Sequence, residues 1–150
     1  MYFRSAKSAC SIEEEQEVTI TGGSHSYTRV TRYKMNGDSE ALPNLKLGRY
    51  LHACGRFTNS DGDIVSYVSG NMINEILRFF VNRNNLQTYI VTGGMGHGVR
   101  YGSALASTET LVKKGGTAWQ YARDLPKVTV GMSGVALDNG HFLLVGQYNL

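Results

Sequence analysis

Three stretches of this chain carry an apolar, β-branched run that glycine ends: Val18-Thr19-Ile20-Thr21-Gly22-Gly23, Tyr89-Ile90-Val91-Thr92-Gly93-Gly94 and Phe142-Leu143-Leu144-Val145-Gly146-Gln147. Side chains of this kind favour β-strands, and glycine is the residue that most readily turns the backbone where a strand ends. A phrase that returns along a short chain indicates stacked copies of one sheet unit. The sequence therefore predicts an all-β protein.

Other signals recur in step with these glycines. A cluster of small residues precedes each phrase: Ala9-Cys10-Ser11, Ala53-Cys54-Gly55 and Met132-Ser133-Gly134. A Leu-Pro pair precedes each of the last two clusters: Leu42-Pro43 and Leu125-Pro126. Turn residues such as Asn36-Gly37 and Asp138-Asn139-Gly140 separate the strand-like runs and are typical of hairpins. The order predicts four short antiparallel strands in each copy.

On these residues the chain resembles the kelch repeat family. The residues that carry the resemblance, together with the basic residue after each Leu-Pro pair, are Gly22, Gly23, Gly93, Gly94, Gly146, Trp119, Leu42, Pro43, Leu125 and Pro126. Gln147 departs from the pattern, because it stands where the third copy would have its second glycine, and the first copy has no tryptophan. The resemblance implies a β-propeller built from four-stranded blades.

The chain holds about two and a half such copies, whereas a propeller closes with roughly four to eight blades. We therefore expect a partial kelch-type β-propeller, with a first blade over 6–42, a second over 49–123 and part of a third over 129–150. Each blade needs a neighbour to cover its apolar face. We accordingly expect a fragment of a longer protein, whose missing blades come from the rest of that chain or from self-association.

The second copy is longer than the third. The first glycines of the phrases, Gly22, Gly93 and Gly146, are separated by 71 and then by 53 positions. Removing residues 65–87 leaves an ordinary hairpin between the second small-residue cluster and its glycine phrase. The removed segment predicts a helix over 71–82, because its apolar residues fall on one stripe at helical spacing. Two interpretations stay open: a helix on the propeller rim that docks a partner, or a retained intron.

The cysteines and histidines give no sign of a reactive centre. Cys10 and Cys54 fall in equivalent clusters, and equivalent positions on the inner strands of neighbouring blades are normally beyond disulfide reach, so we expect two buried thiols. The four histidines, His25, His52, His97 and His141, show no metal-binding spacing. No helix follows the glycine-rich segment 93–98 to hold a phosphate. We expect no metal and no cofactor.

Charge and hydropathy restrict the partners and the location. A net charge of +3, with scattered Arg and Lys, is too weak for a nucleic-acid surface. The sequence contains no run of eighteen apolar residues and no apolar leader, so we expect no membrane span and a cytoplasmic location.

The kelch resemblance implies a non-catalytic protein–protein interaction module, such as a scaffold or a substrate adaptor. Arginine and tyrosine in the predicted loops are residue types that dominate binding hot spots. The candidate contact residues are His25, Tyr27, Arg49, Tyr50, His97, Arg100 and Tyr101. The alternative is a fragment of a kelch-propeller enzyme, such as a copper radical oxidase or a sugar-acid epimerase. A copper oxidase of that kind needs a Tyr–Cys crosslink, whereas both cysteines fall at structural positions of the repeat, so we assign no catalytic residue.

Overall fold

The computed structural model describes residues 9–58, 63–70, 73–80, 87–97, 103–125, 127–136 and 142–145. Within these residues the chain forms strands and turns but no helix. The described part of the chain therefore contains no helix that could span a membrane. The strands in chain order are β1 (Cys10–Glu13), β2 (Glu17–Thr21), β3 (Val30–Lys34), β4 (Ser39–Leu42), β5 (Gly48–Tyr50), β6 (Ala53–Thr58), β7 (Asp63–Gly70), β8 (Ile73–Phe80), β9 (Gln87–Thr92), β10 (Met95–His97), β11 (Ser103–Ala104), β12 (Thr108–Val112), β13 (Gln120–Tyr121), β14 (Ser133–Ala136) and β15 (Phe142–Val145). The all-β prediction is confirmed.

Two four-stranded antiparallel sheets follow the strand order that the sequence predicts. The first sheet is β1-β2-β3-β4, with neighbours paired in chain order. The middle sheet has the order β13-β12-β9-β6. Its strand β6 pairs with β9 from Ala53↔Thr92 to Thr58↔Gln87, although the long insertion separates the two strands in the sequence. The pairing that follows from removing residues 65–87 is therefore formed with those residues in place.

The insertion forms strands, and the predicted helix over 71–82 is wrong. β7 and β8 pair antiparallel from Asp63↔Phe80 to Gly70↔Ile73, and β7 also pairs parallel with β15. The last sheet thus has the order β14-β15-β7-β8, and the insertion supplies the adjacent strands β7 and β8. A short apolar run does not distinguish a helical stripe from a buried strand. Here the neighbouring β-branched strand β7 provides a backbone ladder, and that tertiary pairing overrides the local helical pattern.

A small sheet of order β11-β10-β5 joins the loop after β9 to the segment that precedes β6. Met95 pairs with both Tyr50 and Ala104, so β10 lies at the centre of this sheet. Because β5 and β10 belong to chain segments between the larger sheets, the small sheet fixes loops at one end of the molecule. The consequence is that several of the predicted contact residues come together there.

The first and middle sheets repeat the same backbone hydrogen bonds. Each first glycine donates to the residue before the third strand, and each second glycine donates to a residue in the segment that leads to the next sheet. The matching bonds are Gly22 to Arg29 O (2.9 Å) and Gly93 to Ser107 O (3.1 Å), Gly23 to Arg49 O (3.0 Å) and Gly94 to Thr129 O (2.7 Å), and Leu45 to Thr28 O and Leu125 to Ala106 O (both 2.8 Å). These bonds define an internal repeat.

The repeated bonds also set its register. Leu125 corresponds to Leu45 and not to Leu42, so the two Leu-Pro pairs are not equivalent, contrary to the sequence prediction. Thr129 corresponds to Arg49 by the same criterion. The diglycines occupy equivalent positions in this repeat. Gly22 and Gly93 adopt φ of 58° and 64°, and a Cβ on Gly22 would collide with the carbonyl oxygen of Arg49.

The middle sheet is covered on both faces. Between it and the first sheet lies a buried cluster of Ile12, Val30, Leu45, Cys54, Tyr89, Val91, Leu111 and Trp119. On its other face lies a second cluster of Ala53, Ile90, Leu125, Met132 and Leu144, which reaches the last sheet. Strand β6 has β1 as its neighbour on one side and β14 on the other. Three sheets are therefore stacked face to face, with β1, β6 and β14 along the same edge.

Cys10 and Cys54 form a disulfide, with their Cα atoms 5.9 Å apart, so the prediction of two buried thiols is wrong. Cys10 pairs with Thr21, the residue before the first glycine, whereas Ala53 holds that position in the middle sheet and Cys54 is one residue further on. Successive strand residues point to opposite faces. Cys10 therefore points from the first sheet towards the middle sheet, and Cys54 points back, which brings the two sulfurs together.

Candidate functional site

The loops at one end of the sheets form what we call the loop surface, comprising residues 22–29, 44–52, 93–97 and 103–107. The small sheet holds most of it, and the turn between β2 and β3 completes it. The surface contains His25, which is exposed, and Tyr27 and Tyr50, which are half-buried. His97 lies at the end of β10, opposite Gly48. Two further predicted contact residues, Arg100 and Tyr101, lie outside the described residues, as do the predicted repeat residues Pro126 and Gly146.

The two tyrosines contact each other on the loop surface. The ring centroids of Tyr27 and Tyr50 are 5.8 Å apart, with the ring planes inclined at 59°. This tilted geometry is favourable for aromatic pairs and holds both rings in place. Beside them is an open hollow of about 310 Å³. Its lining residues are Ser26, Tyr27, Thr28, Arg29, Asn44 and Gly48. The exposed Arg29 side chain gives this hollow a positive charge at its rim.

Leu51 belongs to the same surface, although sequence reasoning did not find it. Its φ is 54°, which makes it the non-glycine residue with positive φ in the described part of the chain, and its side chain is 40% exposed. By the register of the repeat it corresponds to Gly131, whose φ is 68°. A leucine in this conformation costs roughly 1–2 kcal/mol that glycine would not. The signal that could have found it is the glycine at the matching position 131.

Arg49 does not fit the predicted contact set, because its side chain is fully buried. Its guanidinium donates to Glu109 Oε1 at 2.8 Å, to the carbonyl oxygens of Gly93 (3.1 Å) and Ser107 (2.8 Å), and to Ser107 Oγ (3.1 Å). Burial lowers the pKa of Arg49, but guanidinium stays charged in proteins. A side chain with no exposed surface cannot touch a docked protein. Arg49 instead ties the segment before β6 to the middle sheet.

Glu109 completes this network from β12, and it too is fully buried. Its carboxylate accepts hydrogen bonds from the backbone N–H groups of Lys46 (2.7 Å) and Leu47 (3.0 Å). Both charges are thus paired and hydrogen-bonded, which is the condition under which buried ions are tolerated. The network fixes the backbone of 46–49, so the adjoining Tyr50 and Leu51 are presented from a rigid support.

A second buried polar group, His52, lies beneath the loop surface. Its Nε2 is 2.8 Å from Thr21 Oγ1, and its Nδ1 has no hydrogen-bond partner among the described residues. Burial, reinforced by the nearby positive charge of Arg49, lowers the pKa of His52 to about 3. The ring is therefore neutral at physiological pH. In the register of the repeat its position corresponds to the buried Met132.

Charged side chains cluster at the opposite end of the strands. Glu14, in the turn between β1 and β2, accepts hydrogen bonds from Lys113 Nζ (2.7 and 2.8 Å) and from the Tyr89 hydroxyl (3.0 Å). Its side chain is buried, whereas the neighbouring Glu13 and Glu15 are exposed. Lys113 also pairs with Glu17 at 2.7 Å, and this hydrogen bond lowers the pKa of Glu17 to about 2.

The Glu14 cluster joins the first sheet to the middle sheet. Burial alone would lower the pKa of Lys113, but its hydrogen bonds to Glu14 and Glu17 outweigh that effect and raise it. Lys113 and Glu17 therefore both stay charged near neutral pH. Among the described residues there is no group of three or more His, Cys, Asp or Glu side chains that could hold a metal ion.

Comparison of the sequence with family models finds no match, and comparison with curated proteins finds no significant match either. Membership of the kelch family therefore stays a prediction.

The buried ion pair gives a first testable expectation. Arg49→Met leaves the Glu109 carboxylate buried without its cation, and Glu109→Met does the reverse, so each change should lower the free energy of unfolding by about 3–5 kcal/mol. The double variant should lose clearly less than the sum, because it leaves no isolated charge. Urea unfolding measures all three. The control Arg29→Met, at an exposed arginine, should stay within about 0.5 kcal/mol of the wild type. Additive single effects would contradict this account of the pair.

A second expectation concerns pH. With its pKa lowered from 6.5 to about 3, His52 stays neutral in the folded state while the unfolded chain takes up a proton below pH 6.5. The free energy of unfolding should therefore decrease as the pH is lowered, by about 2 kcal/mol from pH 7 to pH 5. His52→Met, which copies the equivalent Met132, should flatten this dependence, whereas His25→Met should not. Equal slopes for His52→Met and the wild type in urea unfolding would refute the assignment.

Proposed function

We propose that this chain is a non-catalytic protein–protein interaction module of the kelch-propeller type, and that it binds its partner through the loop surface. The three face-to-face sheets, with β1, β6 and β14 side by side, support the propeller part of the proposal, because blades of a propeller are stacked around an axis in this way. The scaffold or substrate-adaptor role comes from the family resemblance and from the character of the surface.

The observation that carries the binding proposal is the conformation of Leu51. The matching position in the repeat is Gly131, the residue that this backbone favours, yet position 51 keeps a strained leucine with 40% of its surface exposed. Backbone strain of this kind is concentrated at functional sites, where it positions a side chain for use. An apolar side chain presented at such a cost gives a docked protein a surface to bury.

Other residues of the loop surface also suit protein recognition. Tyr27 and Tyr50 supply a paired aromatic surface, and Arg29 and Lys46 supply exposed positive charge. Tyrosine and arginine are enriched among the residues that contribute most binding energy in interfaces. The buried Arg49–Glu109 pair holds the backbone under this patch, which lowers the entropy cost of binding. Within the described residues, the loop surface combines aromatic, apolar and cationic groups on a fixed support.

The disulfide bears on the enzyme alternative. This chain has two cysteines, and each is bonded to the other. Neither is available for the Tyr–Cys crosslink that a copper radical oxidase requires, so we retain the non-catalytic role.

The disulfide also bears on location. Disulfides persist in oxidising compartments and are rare in the cytosol. We therefore favour an oxidising compartment over the cytoplasmic location expected from the sequence. Peptide mapping without reduction, on protein taken from its native source, tests this choice: a free Cys10 and Cys54 would restore the cytoplasmic assignment.

The binding proposal predicts that Leu51→Gly separates stability from function. Relief of the strained backbone should leave the free energy of unfolding unchanged or raise it by up to about 1 kcal/mol, since glycine's extra chain entropy offsets part of the gain. Loss of the exposed side chain should weaken partner binding. The measurement is quantitative affinity capture from the native source, comparing wild type, Leu51→Gly, Tyr50→Ser and a control, Met35→Ser, at an exposed turn position at the opposite end.

The expected result is that the same proteins are depleted about tenfold or more with Leu51→Gly and with Tyr50→Ser but not with Met35→Ser. Each variant must show wild-type circular dichroism before it is used. Equal recovery of every captured protein by the four baits would reject the loop surface as the binding site.

A further inference from the structure

The two outer sheets of the stack each leave one face open, and these faces are complementary halves of one repeating interface. In the first sheet, the covered face carries Cys10, Ile12 and Val30. The opposite face carries Val18 and Ile20, which are half-buried, and Tyr33, which is 47% exposed. In the register of the repeat these three correspond to Tyr89, Val91 and Leu111 of the middle sheet. All three are buried there, because the first sheet covers them.

The last sheet leaves open the face that is turned away from the middle sheet. Leu144 points towards the middle sheet and is fully buried there. On the other face, Ser133 is exposed and Val135 is 50% exposed. Ser133 pairs with Val145 as Cys10 pairs with Thr21, so Val135 holds the position that Ile12 holds in the first sheet. Ile12 is buried against the middle sheet. Each end of the stack thus exposes a face whose equivalent is buried inside it.

We infer that a second copy of this chain covers both faces, with the last sheet of each copy packed on the first sheet of the other. The contact is heterologous, because it joins two different faces, and such contacts form rings when the rotation closes. Three sheets are too few to close a propeller, whereas two copies supply six, within the range of roughly four to eight that propellers use. This inference rests on the propeller arrangement proposed above.

Geometry within the chain favours this occupant over an unrelated partner. Both halves of the required interface are present, and two examples of it, first on middle and middle on last, already exist in the stack. Val135 and Tyr33 would meet as the equivalent Ile12 and Leu111 do, in one apolar cluster between sheets. Covering both faces with copies of the same repeat also removes the exposed side chains of Tyr33 and Val135 from water.

The test is the mass of the purified, disulfide-bonded 150-residue chain in sedimentation equilibrium over a concentration series. We expect a closed dimer of twice the 16.5 kDa chain mass, with no larger species as concentration rises. Tyr33→Lys and Val135→Lys should each weaken dimerisation by about a hundredfold or more, since every contact contains both positions. The control Met35→Lys should not, because Met35 lies on the exposed turn between β3 and β4.

Four outcomes would overturn the inference. The wild-type chain could be a monomer up to about 100 μM, a result that needs no variant and would leave further repeats of a longer chain as the covering partner. It could form open polymers that grow with concentration. A dimer unaffected by one of the two lysine variants would be isologous. A dimer abolished by Leu51→Gly would place the contact on the loop surface, whereas an unaffected one keeps dimerisation separate from the binding role proposed for that surface.

Discussion

The structure depends on the burial of both faces of the middle sheet. A sheet with one apolar face needs one neighbour, but here Val91 points to the first sheet and Ile90 to the last, and both are fully buried. Thr92 and Thr108 on the same sheet are also buried, and they share a hydrogen bond of 2.6 Å between their hydroxyls. The middle sheet is therefore stable only as part of a stack, because alone it would expose both surfaces to water.

The polar groups inside this stack are placed where one copy of the repeat differs from the next. Thr129 in one segment corresponds to Arg49 in the other, and only the latter has a buried carboxylate to meet. His52 corresponds in the same way to Met132. The Arg49–Glu109 ion pair determines which loop lies against which sheet, because any other arrangement would leave a buried charge without a partner. The loop surface above them is thus held by interactions that distinguish its copy of the repeat from the next one.

Local sequence signals predicted the strands and turns well. The first two glycine phrases and the Asn36-Gly37 turn depend on neighbours in the sequence, and they appear in the structure. The pairing of β6 with β9 follows from the strand pattern once the insertion is set aside, and it is also formed. The predictions that failed here were wrong in register by one to three residues. Cys54 was assigned the position of Ala53, and a shift of one residue reverses the face to which a side chain points. Leu42 was matched with Leu125 because both precede proline, although hydrogen bonding selects Leu45.

The other failures have a different origin. The segment 71–82 has apolar spacing that suits a helix, but its residues Ile73–Phe80 form a strand because they pair with β7. Arg49 looked like a surface residue because arginine usually is one. Its burial depends on Glu109, sixty residues away in the chain, which no local pattern connects to it. The candidate site was therefore only partly predictable. Tyr27 and Tyr50 meet as neighbours on one surface, as predicted contact residues should, whereas Leu51 was missed because its positive φ is signalled only by Gly131, at a matching position that the structure reveals.

The most direct test of the stacked repeat is a second crosslink at the next interface. Cys10 and Cys54 join the first sheet to the middle sheet, and in the register of the repeat the corresponding positions between the middle and last sheets are Ala53 and Gly134. The double variant Ala53→Cys/Gly134→Cys should form this additional disulfide on mild oxidation, seen as linked peptides in non-reducing mass spectrometry alongside the natural one. If Cys10 and Cys54 are bonded while the two new thiols stay free in the folded protein, the last sheet does not repeat the interface and the account of the fold is wrong.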